Sequence, residues 1–438
     1  MIRFLPLLGL YFLFVLLKAQ DALIGDEGRY LQGARNLLEG FFASEETLFL
    51  WNGPGYPLYL ALVLVAGLSP LAAKLGNAMF LFLAMVRFHG SLTLLREASG
   101  AGPGGERFRL LATYALGVFL LLHGSLIEQL MTEALSAYLI SAAAWHYLFS
   151  LRAQPCSGAA RIQTALAGFH LGYLALTKVF FGYALAAGLL ASGAWILVRV
   201  ARVARVAKGR RRSAAPGEDT RAAFRAAAAC ALGMLLCVPY LAYTWSLTGK
   251  AFYWGNSGGS QLYCMTLPED TLLGDWLNFD AVLEHPDFFP GQAPFYRALA
   301  AMDYVRRDEA MKAAALRNLR SHPWKYLRNW RANVNRMVFG YPVSRYPGSD
   351  SELRTGNRGM VQALPFYLGA FLAAPAWRLR HRIPSGVWVC LGFALGSLAA
   401  LSLLSAIPRM VFPLLPLLGL WMAAVAEARR TTQAIKST

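Results

Sequence analysis

The sequence predicts an all-α polytopic membrane protein, and three observations carry that reading. Of its 438 residues, 56% are apolar and only 15% are charged, against about 25% charged in an ordinary soluble domain. The apolar residues gather into runs of about twenty, the length that crosses a bilayer as a helix. Lys and Arg outnumber Asp and Glu by 42 to 24, a net charge of +18, and much of this excess sits in short turns between the runs. A chain this poor in charge is not disordered, fibrous or a coiled coil. A large soluble enzyme is also disfavoured, because one core lacks the volume for so much apolar surface. The mean hydropathy, +0.41, agrees.

Apolar runs near 3–18, 70–95, 108–124, 133–151, 161–177, 179–198, 224–247, 361–377, 384–405 and 408–425 predict roughly ten spans. The first has only Arg3 ahead of it and no small-x-small cleavage site before Asp21, so it reads as a retained helix rather than a removed signal peptide. Arg96, Arg107 and Arg109 flank one turn, Arg152 and Arg161 another, and Arg378, Arg380 and Arg382 a third, with Arg429, Arg430 and Lys436 on the tail. With ten spans these share one side, which the positive-inside rule makes cytoplasmic, together with both termini. The stretch 199–225 holds nine basic and two acidic residues, and Arg199, Arg202, Arg205 and Lys208 recur at near-helical spacing. This reads as a helix end on anionic headgroups, not as a nucleic-acid surface. The five cysteines, Cys156, Cys230, Cys237, Cys264 and Cys390, form no CxxC pair, which indicates neither a zinc knuckle nor a disulfide framework. Only Cys264 is expected in an exposed outer loop. No internal repeat supports an inverted-repeat transporter.

Two segments then face outward. One, about 19–69, is locally acidic; the other, about 248–360, is polar and predicted mostly helical. Within it Arg306 to Leu319 forms one helical pattern, Ser321-His322-Pro323 breaks it, and Trp324 to Phe339 forms another, which Pro323 can start. The expected organisation is a transmembrane core over 1–247 that includes the first outer loop, a loop region over 248–360, and C-terminal transmembrane helices over 361–438.

The most informative stretch is Gly25-Asp26-Glu27-Gly28-Arg29-Tyr30, just outside the first span. After it Tyr30, Ala34, Leu37 and Leu38 recur at helical spacing, predicting a short helix that lies in the interface with its apolar face in the headgroup boundary. Its N-terminal end holds two carboxylates and a guanidinium beside the positive pole of the helix. A general base and cations to hold an anion thus meet at membrane depth; the plainer alternative is that Asp26 caps the helix and Arg29 pairs with an acid. Trp51-Asn52-Gly53-Pro54-Gly55-Tyr56-Pro57 leads into an apolar stretch ending at Gly67, too short for a span and read as a second interfacial helix. The outer turn from His123 to Glu133 and the turn at Lys178 place ionisable groups in apolar surroundings, where they are functional or paired, although Lys178 can also snorkel to the interface. Arg409 opens the final span within Pro408-Arg409-Met410-Val411-Phe412-Pro413-Leu414-Leu415-Pro416, where it either holds phosphate or caps the outer face.

This ordered set resembles the GT-C glycosyltransferases, especially the lipid A aminoarabinose transferase and protein O-mannosyltransferase-like branch. Asp26-Glu27-Gly28-Arg29-Tyr30 with the Ala34-Arg35-Asn36-Leu37-Leu38 helix is similar to that family's first outer loop. Asn52 to Leu60 resembles its Pro-Gly-Tyr-Pro segment, Thr132-Glu133-Ala134-Leu135 its Thr-(Glu/Asp)-x-Leu element, and Thr177-Lys178 its Thr-Lys-Gly element. Pro239-Tyr240 through Gly249-Lys250, Glu309 to Tyr326, and Arg409 to Leu417 resemble its later segments in the same order. Departures occur at Asn52-Gly53-Pro54, where aminoarabinose transferases carry Glu-Lys-Pro, at Val179 in place of Gly, and at Met410 in place of Tyr. They argue against assuming the same donor sugar or metal contact.

The resemblance implies a GT-C fold with a periplasmic loop region, in the inner membrane of a bacterium. It implies transfer of one sugar from a polyprenyl-phosphate donor to a cell-envelope acceptor (lipid A or lipopolysaccharide, another glycan, or protein), with inversion. Asp26 is then the base, with Glu27 a second candidate for that role. Arg29, Lys178 and Arg409 are phosphate ligands, Tyr30 is a further substrate-binding residue, and Glu133 orients a cation or the acceptor. A divalent metal remains open, as do a polysaccharide polymerase or ligase and, less favoured, a secondary transporter.

Overall fold

The computed structural model describes residues 1–46, 48–99, 105–122, 126–207, 217–344 and 358–437. Expected positions His123 and Lys208 lie outside them. Among these residues there are helices and turns and no strand. The first half contains α1 (Leu5–Lys18), α2 (Glu27–Leu38), α3 (Gly55–Val65), α4 (Pro70–Ser99), α5 (Gly105–Leu122), α6 (Glu133–Arg152), α7 (Gly158–Thr177) and α8 (Phe180–Ala207). Then come α9 (Glu218–Leu236) and α10 (Val238–Thr248), α11 (Gly258–Thr266), α12 (Phe279–Glu284), α13 (Ala293–Ala300), α14 (Tyr304–Ser321) and α15 (Pro323–Phe339). The chain closes with α16 (Arg358–Arg378), α17 (Ser385–Ser402), two single 3₁₀ turns at Pro408–Met410 and Phe412–Leu414, and α18 (Leu415–Ser437).

Over the described residues each of the ten apolar runs is mainly helical. By length and composition five stretches among the described residues are apolar enough to cross a membrane: Pro70–Arg96, Glu133–Arg152, Phe180–Ala201, Ser385–Ser402 and Pro408–Gln433. A sixth is the pair α9 and α10, which meets at a 48° bend, and Pro239 beside the break supplies the missing backbone donor that permits it. Helix α1 is shorter than this length, and α5, α7 and α16 are not among these stretches.

One core of apolar side chains runs through the membrane helices, from Tyr11 and Val15 of α1 through Leu81 and Met85 of α4, Leu139 and Ile140 of α6, and Leu417 and Val425 of α18. The helices approach closely where side chains are small: Gly168 and Gly172 of α7 lie against Gly233 of α9, whose backbone would clash with added methyl groups. Backbones brought this near gain dispersion contacts that lipid cannot supply.

A second apolar core, of Tyr263, Cys264, Leu267, Leu277, Phe289, Tyr296 and Met311 among others, holds α11 to α14 together. Cys264 is therefore buried, not exposed as expected from its loop position, because α11 turns it inward toward that core; Cys156, at the α6–α7 turn, is the exposed cysteine. The helix pair foreseen around Ser321-His322-Pro323 is present, with His322 between α14 and α15 and Pro323 in the first turn of α15.

Asp308 of α14 ties the two ends of this core. Its Oδ1 accepts the Ser260 backbone N–H at 3.0 Å and the Ser260 hydroxyl at 3.4 Å, satisfying orphan donors at the start of α11. Burial pushes the Asp308 carboxyl above its usual range, against the opposing pull of those hydrogen bonds. A raised carboxyl binds its proton more tightly in the folded state, so its contribution to stability declines as pH climbs from the unfolded value of about 3.9. Asp308→Asn, which keeps an acceptor oxygen without the charge, is expected to unfold at or above the wild-type temperature at neutral pH. That advantage should shrink as the pH falls below about 4, as thermal unfolding in detergent at a series of pH values would show.

Candidate active site

The site is assembled where α2 begins, α6 begins, α7 ends and the 3₁₀ turn at 408–410 precedes α18. Gly25, at φ +61°, takes the left-handed turn that delivers the chain into α2, a conformation that glycine adopts without strain. Asp26 then stands at the N-cap position but makes no capping hydrogen bond. Its carboxylate reaches across the chain: Oδ2 accepts from Arg409 Nη2 at 2.7 Å and Oδ1 from Arg29 Nη1 at 3.3 Å. The capping alternative for Asp26 is thereby set aside.

Arg409 is the centre of the arrangement. Its Nε lies 3.9 Å from Glu133 Oε1, and the same oxygen accepts a hydrogen bond from Lys178 Nζ at 3.1 Å. Glu133 is the first residue of α6 and is almost wholly buried. Lys178 occupies the break between α7 and α8, which explains how a lysine interrupts an apolar run without entering a helix interior. Asp26, Arg409, Glu133 and Lys178 thus form one continuous chain of charge. The Glu133 side chain is 2% exposed, whereas those of Asp26, Arg409 and Lys178 keep 23%, 31% and 21% of their surface. The buried carboxylate anchors two cations whose outer sides remain open to a ligand.

Lys178 is placed by the loop before α3. An added Cβ at Gly53 would lie 1.9 Å from the Leu176 carbonyl oxygen, and one at Gly55 2.5 Å from the Thr177 hydroxyl. The Tyr173 hydroxyl also donates to the Gly55 carbonyl at 2.8 Å. Only a loop without side chains there lets its backbone lie on the end of α7.

The other expected residues divide. Arg29 is nearly half-exposed, with its guanidinium 5.2 Å from the Trp51 ring centre and 5.5 Å from that of Phe49. Tyr30 is buried and meets Tyr56 of α3 edge to face at 5.2 Å. With Ala34 it forms the face of α2 that packs on α3, so this part of the apolar stripe rests on protein rather than on headgroups as expected; Leu38 remains exposed. The reason is that α3 offers Tyr56 and Pro57 at matching positions, and Pro57 also lies against Gly33.

Glu27 is fully buried. Its Oε1 accepts from the Leu130 N–H at 2.8 Å and pairs with Lys74 Nζ at 3.2 Å, while Oε2 accepts from the Ile24 N–H at 2.7 Å. Lys74 also donates to the Gln20 carbonyl at 2.7 Å. Apart from the local bond to Ile24, the interactions of Glu27 tie the first loop to α4 and to the α5–α6 turn, and the expectation that it shares the base role finds no support in this arrangement. Lys74 escaped the sequence reading, although a lysine inside the 70–95 run carried the same signal as Lys178. Asn77, which donates to the Gln129 carbonyl at 2.7 Å and shares hydrogen bonds with the Tyr56 hydroxyl, was missed as well; an uncharged amide in an apolar run gives little warning.

Among the described residues no group of three or more His, Cys, Asp or Glu is placed to hold a metal ion. The partly open carboxylate of Asp26 and the buried one of Glu133 already face cationic side chains, so this donor set does not fit a divalent ion.

No protein-family model matches the chain, and no curated protein matches it significantly. Solved structures do. The oligosaccharyltransferase of Archaeoglobus fulgidus, in its apo form, aligns over 98% of this chain and 52% of its own, with 12% identity and a TM-score of 0.50. The chain has the GT-C fold. It spans about half the length of that oligosaccharyltransferase. ArnT from Cupriavidus metallidurans bound to undecaprenyl phosphate aligns more loosely, over 97% of this chain and 77% of its own, with 15% identity and a TM-score of 0.39.

The buried pair of this GT-C core makes a direct prediction. Lys74→Met leaves the Glu27 carboxylate buried without its cation, a change worth about 3–5 kcal/mol. The double variant Lys74→Met/Glu27→Gln should recover most of that loss. Thermal unfolding in detergent measures both, and equal destabilisation in the two variants would contradict the pairing.

Proposed function

We propose that this protein is an integral-membrane glycosyltransferase that moves a single sugar from a polyprenyl-phosphate carrier to an acceptor at the outer face of a bacterial inner membrane. The observation that carries this reading is the chain Asp26–Arg409–Glu133–Lys178, a carboxylate and two partly open cations gathered at one end of a membrane helix bundle. The GT-C fold, shared with an oligosaccharyltransferase, supports glycosyl transfer. Distribution of Lys and Arg in the short turns supports cytoplasmic termini and a site on the opposite, periplasmic face. A prenyl tail stays in the bilayer, so its phosphate must be met at such a depth.

In this reading the acceptor oxygen attacks the anomeric carbon while the bond from that carbon to the phosphate oxygen breaks. The electron pair leaves on the lipid phosphate, and the acceptor proton passes to Asp26. One displacement inverts the anomeric configuration. Arg409 and Lys178 neutralise the growing phosphate charge from fixed positions, since Glu133 holds both before substrate arrives; such preorganised electrostatics are usually the largest catalytic contribution. Arg409 links the two halves of the reaction. As the phosphate draws its guanidinium, the hold on Asp26 relaxes and the carboxylate is freed to take the proton. Arg29, exposed and at a longer distance, assists the donor less than Arg409 does. Tyr30 supports Asp26 from below through its packing on α3, and the region after residue 248 would shape acceptor entry.

A second reading, a polymerase or ligase that uses a lipid-linked oligosaccharide, is favoured by the likeness to an oligosaccharyltransferase. Donor size separates the two. A secondary transporter is disfavoured because the ionisable groups collect at one end of the bundle rather than at its middle. The acceptor is a cell-envelope molecule (lipid A or lipopolysaccharide, another glycan, or protein), and the surrounding partner is the bilayer, not nucleic acid.

Purified protein incubated with a panel of polyprenyl-phosphate monosaccharides should consume one of them, as followed by mass spectrometry. Consumption only of oligosaccharide donors would favour the second reading, and solute flux into vesicles with no lipid-linked sugar the third. Asp26→Asn is expected to lower turnover by about 10²–10⁴-fold while the protein still inserts and folds. Arg409→Ala should reduce it by roughly 10²–10³-fold, the scale of losing one preorganised donor, and Arg29→Ala by less. Normal turnover by Asp26→Asn would remove that residue from the mechanism.

A further inference from the structure

Helix α15 bears two stripes of polar side chains, and both grip neighbouring segments, mostly at their backbone. On one stripe the Tyr326 hydroxyl donates to the Leu403 carbonyl at 3.0 Å, and Trp330 Nε1 donates to the Ser402 hydroxyl at 3.1 Å. Asn333 continues it: Nδ2 donates to the carbonyls of Ser402 and Leu404, at 2.8 and 2.6 Å, and Oδ1 accepts the Ala406 N–H at 3.0 Å. These residues recur at intervals of four and three, one face of a helix. They fix the whole segment 402–406, which ends three residues before Arg409.

The other stripe grips the region after α11. Lys325 donates to the Leu272 carbonyl at 2.8 Å, and Asn329 donates to the Met265 and Leu267 carbonyls at 3.1 and 3.4 Å. Arg336 joins the two stripes. Its Nε donates to the Ala406 carbonyl at 3.3 Å and Nη2 to Asn333 Oδ1 at 2.9 Å, while Nη1 lies 3.9 Å from Asp275. Asn329, Asn333 and Arg336 are each no more than 1% exposed. Buried amides and a buried guanidinium this fully engaged hold their partners in one geometry, since breaking any bond leaves an unsatisfied group.

We infer that α15 is a coupling element in which Asn333 and Arg336 act as positioning residues, transmitting the placement of the outer region 265–276 to Arg409. The contacts close on themselves. Trp276, the neighbour of Asp275, meets Trp51 edge to face at 5.2 Å, and Trp51 faces Arg29, which bonds the same Asp26 that Arg409 holds. A molecule that moves Trp276 or Trp51 as it enters therefore biases the phosphate-holding arginine through two routes. The inference rests on the phosphate role proposed for Arg409.

The test uses the full-length protein in nanodiscs with undecaprenyl phosphate as the probe. Asn333→Asp keeps the acceptor oxygen and loses both donations to 402–406. Tyr326→Phe/Trp330→Phe removes two bonds at the partly exposed edge and keeps the aromatic packing, so it guards against misfolding. Each should weaken probe binding roughly 2- to 30-fold, the range for coupling through packed networks. Arg328→Ala, on the same helix but paired only with exposed Asp270, should bind as wild type. In Arg409→Ala, where Lys178 and Arg29 still give measurable binding, Asn333→Asp should add nothing. An equal loss in that background would mean the helix acts elsewhere, and full affinity in both α15 variants would likewise overturn the coupling. Wild-type affinity in Arg409→Ala alone would instead withdraw the phosphate role itself.

Discussion

One guanidinium organises the charged cluster at the end of this helix bundle. Arg409 lies between a partly open carboxylate, Asp26, and a buried one, Glu133. Two carboxylates that converge from different parts of the chain repel each other unless a cation stands between them, and the repulsion grows as water is excluded. The planar fork of arginine can serve both at once, with donors to spare for a third anion. Lysine at 178 completes the balance on the buried side by bonding Glu133. The site is thus held together by charge that a phosphate can share without dismantling it.

The surrounding structure exists largely to present these few groups. Each arrives at a discontinuity: Asp26 at the entry to α2, Glu133 at the first position of α6, Lys178 in the gap between α7 and α8, and Arg409 in a 3₁₀ turn before α18. Helix ends carry unsatisfied backbone groups and sit near water, so ionisable side chains are tolerated there where a helix interior would reject them. Small residues at 53 and 55 let the loop before α3 lie directly on the end of α7, which sets the depth of Lys178. The Glu27–Lys74 pair does the equivalent for the first loop, tying it to α4.

Binding the core of α11 to α14 to the membrane bundle required a different solution. Helix α15 recognises backbone carbonyls on both sides of itself with tyrosine, asparagine, lysine and arginine, and the Ser402 hydroxyl with tryptophan. Such bonds are directional, so they set an orientation that apolar contact would leave loose. The same helix that joins the layers consequently holds the segment leading to Arg409.

Much of this was legible in the residue order. Runs of about twenty apolar residues can only be satisfied as helices in a bilayer, and the break at Ser321-His322-Pro323 follows from proline's lost donor; both were readable because they depend on local chemistry. Asp26, Glu133, Lys178 and Arg409 also stood out as candidates, since a charge in apolar surroundings contrasts with its neighbours, and the fold brings these four together. Which charges meet was not legible. Asp26 and Arg409 are 383 positions apart, and nothing local distinguishes the arginine that bridges two carboxylates from Arg29, which touches one. Tertiary structure alone decided that Glu27 is consumed by Lys74, that Cys264 turns inward and that α15 reads the backbone before Arg409. In each case the deciding interaction joins groups distant in the chain, and its strength depends on exclusion of water that only the assembled fold provides.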